Sequence, residues 1–280
     1  MMKKLLAIIA AAVAPSATLP LRCCCGCGDS PWRSSFRKEG SHLQTNSRDA
    51  YLECEKPYIY WLLIVVAGWF GAYTFILRGG VFCNAQTANV VLFAIALGSG
   101  DWKRALYLLL PISAYFFGAF LSEFWGKSVR RLRLLRWDTL LIGIEAAVVL
   151  ALGFLPEKAP DQICQIALNF ICSMQFNTFR QVKGIPAATT FVTNHIRQVG
   201  ANAAKFLRHR DKASGKRLAL HGTMILCFAL GTMLCTLCIK IAGYRAIWGA
   251  AALLLLVFLR LCYADRVLEK DKWEQVPHGH

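Results

Sequence analysis

"GGVFCNAQTANVVLFAIALGSG", residues 79–100, decides the topology of this chain. Its second half, 90–97, is almost pure hydrocarbon. Its first half crowds Cys83, Asn84, Gln86, Thr87 and Asn89 behind the glycine pair Gly79–Gly80. Such polarity is costly at the start of a membrane-crossing helix, so the stretch reads as a segment that enters the bilayer and stops.

The surrounding sequence is that of a membrane protein, with 56% hydrophobic residues. A spanning helix needs about 20 mostly apolar residues. Six stretches qualify: 57–77, 105–122, 139–155, 162–179, 218–239 and 246–259, the last extended to about 264 by a snorkelling Arg260. This excludes a soluble globular protein. The net charge of +16 is carried in loops between apolar runs, with no nucleic-acid motif beside it. Anionic lipid and the positive-inside bias account for it, and no nucleic-acid partner is expected.

Residues 1–56 differ in composition. "MMKKLLAIIAAAVAPSATLP" has the outline of a signal peptide, and the remainder reads as an unstructured extension. Cys23, Cys24, Cys25 and Cys27 lack the spaced-pair geometry of zinc sites, so no metal is expected. The other cysteines are dispersed and mostly within apolar runs, where cysteine acts as a small apolar residue.

Basic residues then choose between topologies. If 79–100 and a second polar stretch, "GIPAATTFVTNHIRQVGANAAKF" (184–206), both crossed, eight spans would leave twelve basic residues inside and ten outside. If both dip in and return, six spans place "KSVRRLRLLR" (127–136), the region 180–217 and the tail on one side. The balance becomes seventeen inside against six outside, the asymmetry that orients membrane proteins. It also keeps Arg197 from mid-membrane.

The two polar stretches resemble each other. Placing Thr87 on Thr193 aligns "NAQTANV" with "TFVTNHI". The helix after each has small residues every fourth position, Ala114, Gly118 and Ser122 in one and Thr223, Cys227, Gly231 and Cys235 in the other, which lets helix backbones approach closely. The fold expected is all-α and polytopic: an N-terminal extension at 1–56, a first membrane repeat at 57–155, a second at 156–264 and a cytoplasmic tail at 265–280. Three crossings per repeat would invert one copy relative to the other.

At these stretches the sequence is similar to the YoaK family of small bacterial integral membrane proteins, a domain of unknown function. "GGVFCNAQTANVVLFAIAL" followed by "GDWKRALYLLLPISAYFFGAF" resembles its glycine turn, Thr-Gly-Asn element and apolar helix. "TFVTNHIRQVG" resembles its later Tyr-Val-Thr-Gly element. Ala88 and Asn194 stand where those elements have glycine. The resemblance covers about 57–264 and implies a membrane protein of transporter-like character with no settled substrate.

Candidate solute ligands are Asn84, Gln86, Thr87 and Asn89 in the first stretch and Thr190, Thr193, Asn194 and His195 in the second, with Thr189 beside them. A helix N-terminus there would add a partial positive charge, favouring an anion. Asn84 or Thr87 alone would suffice as a helix cap. Glu145, in "DTLLIGIEAAVVLALGF" (138–154), is an intramembrane acid suited to a coupling ion or proton, or to a hydrogen bond with another helix. Asn169, Gln175 and Asn177 are its candidate partners. Arg197 would snorkel, and Glu123 beside Trp125 would be interfacial. There is no Gly-x-Ser-x-Gly elbow, His-Glu-x-x-His pair or phosphate loop, so neither an enzyme nor a cofactor is expected.

The expected function is a transporter or channel for a small solute in a cell membrane. The alternative is a membrane scaffold whose basic loops bind anionic lipid. The partners are the lipid bilayer and the solute, and a homo-oligomer is compatible with either. A C-terminal reporter checks the topology: green fluorescent protein at the C-terminus should fluoresce in bacterial cells and alkaline phosphatase there should be inactive. The reverse pattern would overturn the six-span orientation.

Overall fold

The computed structural model describes residues 51–129, 135–272, 275 and 277; the signal-like segment, Cys23–Cys27 and the basic positions 130–134 lie outside the described residues. Eight α-helices follow in order: α1 (Pro57–Leu77), α2 (Gln86–Gly98), α3 (Trp102–Val129), α4 (Trp137–Leu152), α5 (Asp161–Thr178), α6 (Thr193–His209), α7 (Lys212–Ala242) and α8 (Ile247–Tyr263). Between α5 and α6 the short strands β1 (Gln181–Val182) and β2 (Ile185–Pro186) pair antiparallel. Lys183 and Gly184 both have positive φ, +47° and +75°, as a tight two-residue hairpin turn requires. The fold is therefore all-α apart from this hairpin, which lies in the stretch read from sequence only as a glycine-containing turn.

Among the described residues, three stretches are long and apolar enough to cross a membrane: Pro57–Leu77, Trp102–Trp125 and Lys212–Leu268, the last containing both α7 and α8. At 13 residues α2 is about 20 Å long, short of the ~30 Å hydrocarbon core. Its start follows the glycine pair, whose φ values of +72° and +69° end α1 by a turn that a Cβ would strain. α3 and α7 begin earlier than the apolar pattern suggests, so the polar helix ends at Trp102–Arg104 and Lys212–Arg217 extend beyond the apolar stretches. Asp211 starts α7 by accepting from the Ala213 and Ser214 amides, both at 3.0 Å.

The helices pair in a definite pattern. α1 packs on α7, α3 on α5 and α4 on α8. α2 lies on α3 and α6 on α7, while α1 also touches α8 and α4 touches α5. Two crossings are backbone-close. A Cβ placed on Gly231 of α7 would lie 2.0 Å from the Val65 carbonyl oxygen of α1, and one on Gly118 of α3 would lie 2.3 Å from the Phe170 oxygen of α5. Both glycines belong to the small-residue stripes read from the sequence. Thr232 adds a hydrogen bond to the Gly68 carbonyl at 3.2 Å.

One end of the bundle is tied by charge. Arg136, 7% exposed, meets Asp138, Asp265 and Glu269 at 3.8, 4.0 and 3.4 Å and donates from its backbone amide to Asp265. Arg260 pairs with Glu53 at 2.8 Å. At the same end Trp137 donates to Thr178 at 3.0 Å and the Gln181 amide to the Tyr60 hydroxyl at 3.0 Å. At the other end Arg78 reaches Asp161 at 3.6 Å and stacks on Tyr244 at 4.4 Å. The starts of α1 and α4 and the ends of α5 and α8 thus share one end.

Gly231→Ala and Gly118→Ala should each lower stability by about 1–3 kcal/mol, because backbone must move to admit the methyl group. Gly222→Ala, where a Cβ meets open space, is the control. Thermal melting in detergent checks this; equal melting temperatures for all three variants would refute the close-packing account.

Candidate functional site

The first polar segment turns inward between α1 and α2. Asn84 is buried and donates from Nδ2 to the Ala67 carbonyl of α1 at 3.0 Å. Gln86 donates from Nε2 to Asn169 Oδ1 of α5 at 2.5 Å and to the Cys83 carbonyl at 3.3 Å. Asn89, fully buried, brackets the backbone of Phe82: its Nδ2 donates to the Phe82 carbonyl at 2.6 Å and its Oδ1 accepts from the Phe82 amide at 3.3 Å. No side chain caps α2, whose N-cap is Ala85. Thr87 is exposed on the opposite side of the helix.

The second segment follows the β-hairpin. Thr189 and Thr190 are fully buried; the Thr189 hydroxyl has no hydrogen-bond partner, and the Thr190 hydroxyl faces that of Tyr115 on α3. His195, also fully buried, holds the Ala188 carbonyl through Nε2 at 2.8 Å. Its Nδ1 lies 2.8 Å from Nδ1 of His221 on α7. Thr193 is exposed, while Asn194 is half-buried and accepts from the exposed Arg197 at 2.9 Å. Arg197 thus stands clear of the interior, as a snorkelling side chain does.

Asn89 and His195 occupy matching positions and do the same work. Each binds the carbonyl seven residues before it, closing the polar segment onto the first turn of its helix. Thr87 and Thr193 match in the opposite sense, both pointing outward. Of the eight candidate ligands, Asn84, Gln86, Asn89 and His195 already have protein partners. Asn194 is engaged by Arg197, leaving Thr190 as the buried candidate whose one side-chain neighbour is the Tyr115 hydroxyl.

Thr190 opens onto a buried polar centre. The Tyr115 hydroxyl of α3 lies beside it, with Cys172 and Cys83 in the same neighbourhood. The Cys172 and Cys83 side chains are hydrogen-bonded to each other, and Glu145 of α4 lies near Cys172. Both Glu145 carboxyl oxygens are buried without a partner, as are both amide atoms of Gln175, three residues beyond Cys172 on α5. Residues from the first segment (Cys83) and the second (Thr190) therefore converge on one centre. Among the described residues, Glu145 has neither an ion pair nor a hydrogen bond. Asn177 and Glu123 are instead joined with Arg180 near the charged end.

Tyr115 and Cys172 carry no sequence signal as site residues, because a tyrosine and a cysteine in apolar runs read as packing. His221 is equally silent within its helix. Among the described residues no cluster of three or more His, Cys, Asp or Glu is placed to hold a metal. A buried polar atom without a partner costs about 1–3 kcal/mol. A centre with several of them gains most from water, an ion or a solute that supplies the missing contacts.

A family model described as a protein of unknown function, DUF1275, matches residues 59–260. The chain belongs to the DUF1275 family. That range takes in both polar segments and every buried group named above, so the centre lies wholly within the DUF1275 region. Neither the curated proteins nor the solved structures contain a match to the chain.

Asn89→Ala should cost about 1–3 kcal/mol by stranding the Phe82 amide and carbonyl. Thr87→Ala, two residues away and exposed, should stay within about 0.5 kcal/mol of the parent. Detergent melting curves compare them; a neutral Asn89→Ala would remove the clamp from the argument.

Proposed function

We propose that this DUF1275 protein is a multi-pass cell-membrane transporter or channel for a small solute, built as six spans and two half-inserted segments in inverted repeats. The observation that carries this reading is Glu145, buried at mid-helix with both oxygens unpartnered and near Cys172 of α5. Intramembrane acids with no structural partner are characteristic of ion and proton pathways. The two short helices support it as well, since broken helices at repeat interfaces form transporter binding sites.

Helix pairing supports the repeat. Exchanging α1 with α5, α2 with α6, α3 with α7 and α4 with α8 carries the helix pairs named above onto one another. The same exchange takes the Gly118–Phe170 approach to the Gly231–Val65 approach. It also relates Cys83 to Thr189, Asn84 to Thr190 and Asn89 to His195, the register that the sequence alignment of Thr87 with Thr193 sets. A rocking of one repeat against the other around the centre would then alternate access.

The centre offers a carboxyl, hydroxyls and a carboxamide, and no arginine or lysine pairs with Glu145 among the described residues. An uncharged hydroxylated solute or a cation fits it better than the anion that helix N-termini alone favour. The second reading, a lipid-binding scaffold, rests on the exposed basic run from Arg197 to Arg217. Glu145→Gln separates the two. In proteoliposomes loaded with a panel of cations, polyols and amino acids, it should cut flux about tenfold or more. Because it removes an unpaired buried acid, its melting temperature should be unchanged or higher. Folded parent protein with no flux for any member of the panel would defeat the transporter reading.

A further inference from the structure

The two clamps differ in one chemical respect: Asn89 cannot titrate, whereas His195 can. The Ala188 carbonyl only accepts, so His195 Nε2 carries a hydrogen and, in the neutral ring, Nδ1 is an acceptor. The 2.8 Å contact between the two Nδ1 atoms then requires His221 to donate from Nδ1. This leaves His221 Nε2 as the open proton site of the pair. A proton bound there makes a shared cation, and a second on His195 Nδ1 would set two N–H groups against each other and break the contact.

The surroundings are unfavourable to that cation. His195 and His221 are 0% and 1% exposed. The charged groups facing them are Arg197 on α6 and Arg217 on α7, both of the same sign. α1, also packed on α7, has no charged residue between Pro57 and Leu77, and the segment 187–192 has none either. A buried imidazolium with no acid beside it and two arginines nearby is relieved when the segment opens to water.

We propose that the His195–His221 pair is a proton-binding latch: neutral, it holds the segment 187–192 closed and thereby buries Thr189 and Thr190, and protonated, it releases them. Acid thus acts on the second polar segment alone, because the first is tied by Asn89. The inference rests on the reading of these segments as the walls of a solute site, but its test needs no flux and survives the failure of that reading.

Hydrogen exchange of the full chain in nanodiscs, corrected for the intrinsic pH dependence, is the experiment. Protection of 187–193 should fall about tenfold or more between pH 7.5 and pH 5, while that of 81–86 stays level. His195→Asn, which copies the other clamp, should abolish the pH step. A step of equal size in both segments, no step in the parent, or an undiminished step in His195→Asn would each overturn the proposal. If that variant does not fold, nitrogen-15 histidine spectra of the parent decide. His195 should be the Nε2–H tautomer and His221 the Nδ1–H tautomer at pH 7.5, with an imidazolium appearing on acidification. Identical tautomers, or no titration above pH 4, would refute it.

Discussion

Hydrocarbon supplies no hydrogen bonds, so a broken helix among apolar spans must find all its backbone partners within the protein. That constraint organises the centre of this molecule. Asn89 and His195 answer it in the same way, each reaching seven residues back to a carbonyl at the entrance of its segment. Asn84 answers it for α1 by taking the Ala67 carbonyl, and Gln86 ties the first segment to Asn169. Without these side chains the segments would have either to continue as helices or to leave the interior.

Close helix packing makes the inner space narrow enough for such bonds. Gly231 against Val65 and Gly118 against Phe170 bring backbones together at the two crossings, where dispersion contacts hold helices without a hydrophobic driving force. The charged ends act differently. Arg136 is enclosed by three acids, so it is held by geometry as much as by Coulomb attraction, and removing it would leave those acids buried against one another. It joins the start of α4 to the residues beyond α8, closing the bundle at that end.

Against this satisfied framework, the unsatisfied groups stand out. Glu145 has both carboxyl oxygens unused, and Gln175 and Thr189 are buried with unused donors and acceptors. Several other polar side chains within the helices bond back to their own helix: Thr74 to Phe70, Thr236 to Thr232, and Asn202 to Gln198. A structural role alone would have been served by apolar side chains of similar volume, at lower cost.

Much of this was legible in the linear chain. Apolar runs announce helices, small residues at every fourth position announce close crossings, and a dense polar patch behind two glycines announces a break between two helices. The alignment of Thr87 with Thr193 also holds the register that relates Asn89 to His195. What the chain could not show was which members of each patch face inward. Successive helical residues turn by about 100°, so Thr87 and Asn89 lie on nearly opposite sides, and composition weighs them equally. Only the packing of α2 on α3 and of α6 on α7 sends Asn89 and His195 inward and the two threonines out. The same holds for Tyr115, Cys172 and His221, which look like filler until three-dimensional neighbours give their polar atoms something to meet. Sequence determines where polarity must be accommodated; tertiary structure decides which atoms accommodate it, because hydrogen bonds depend on direction and distance, and composition contains neither.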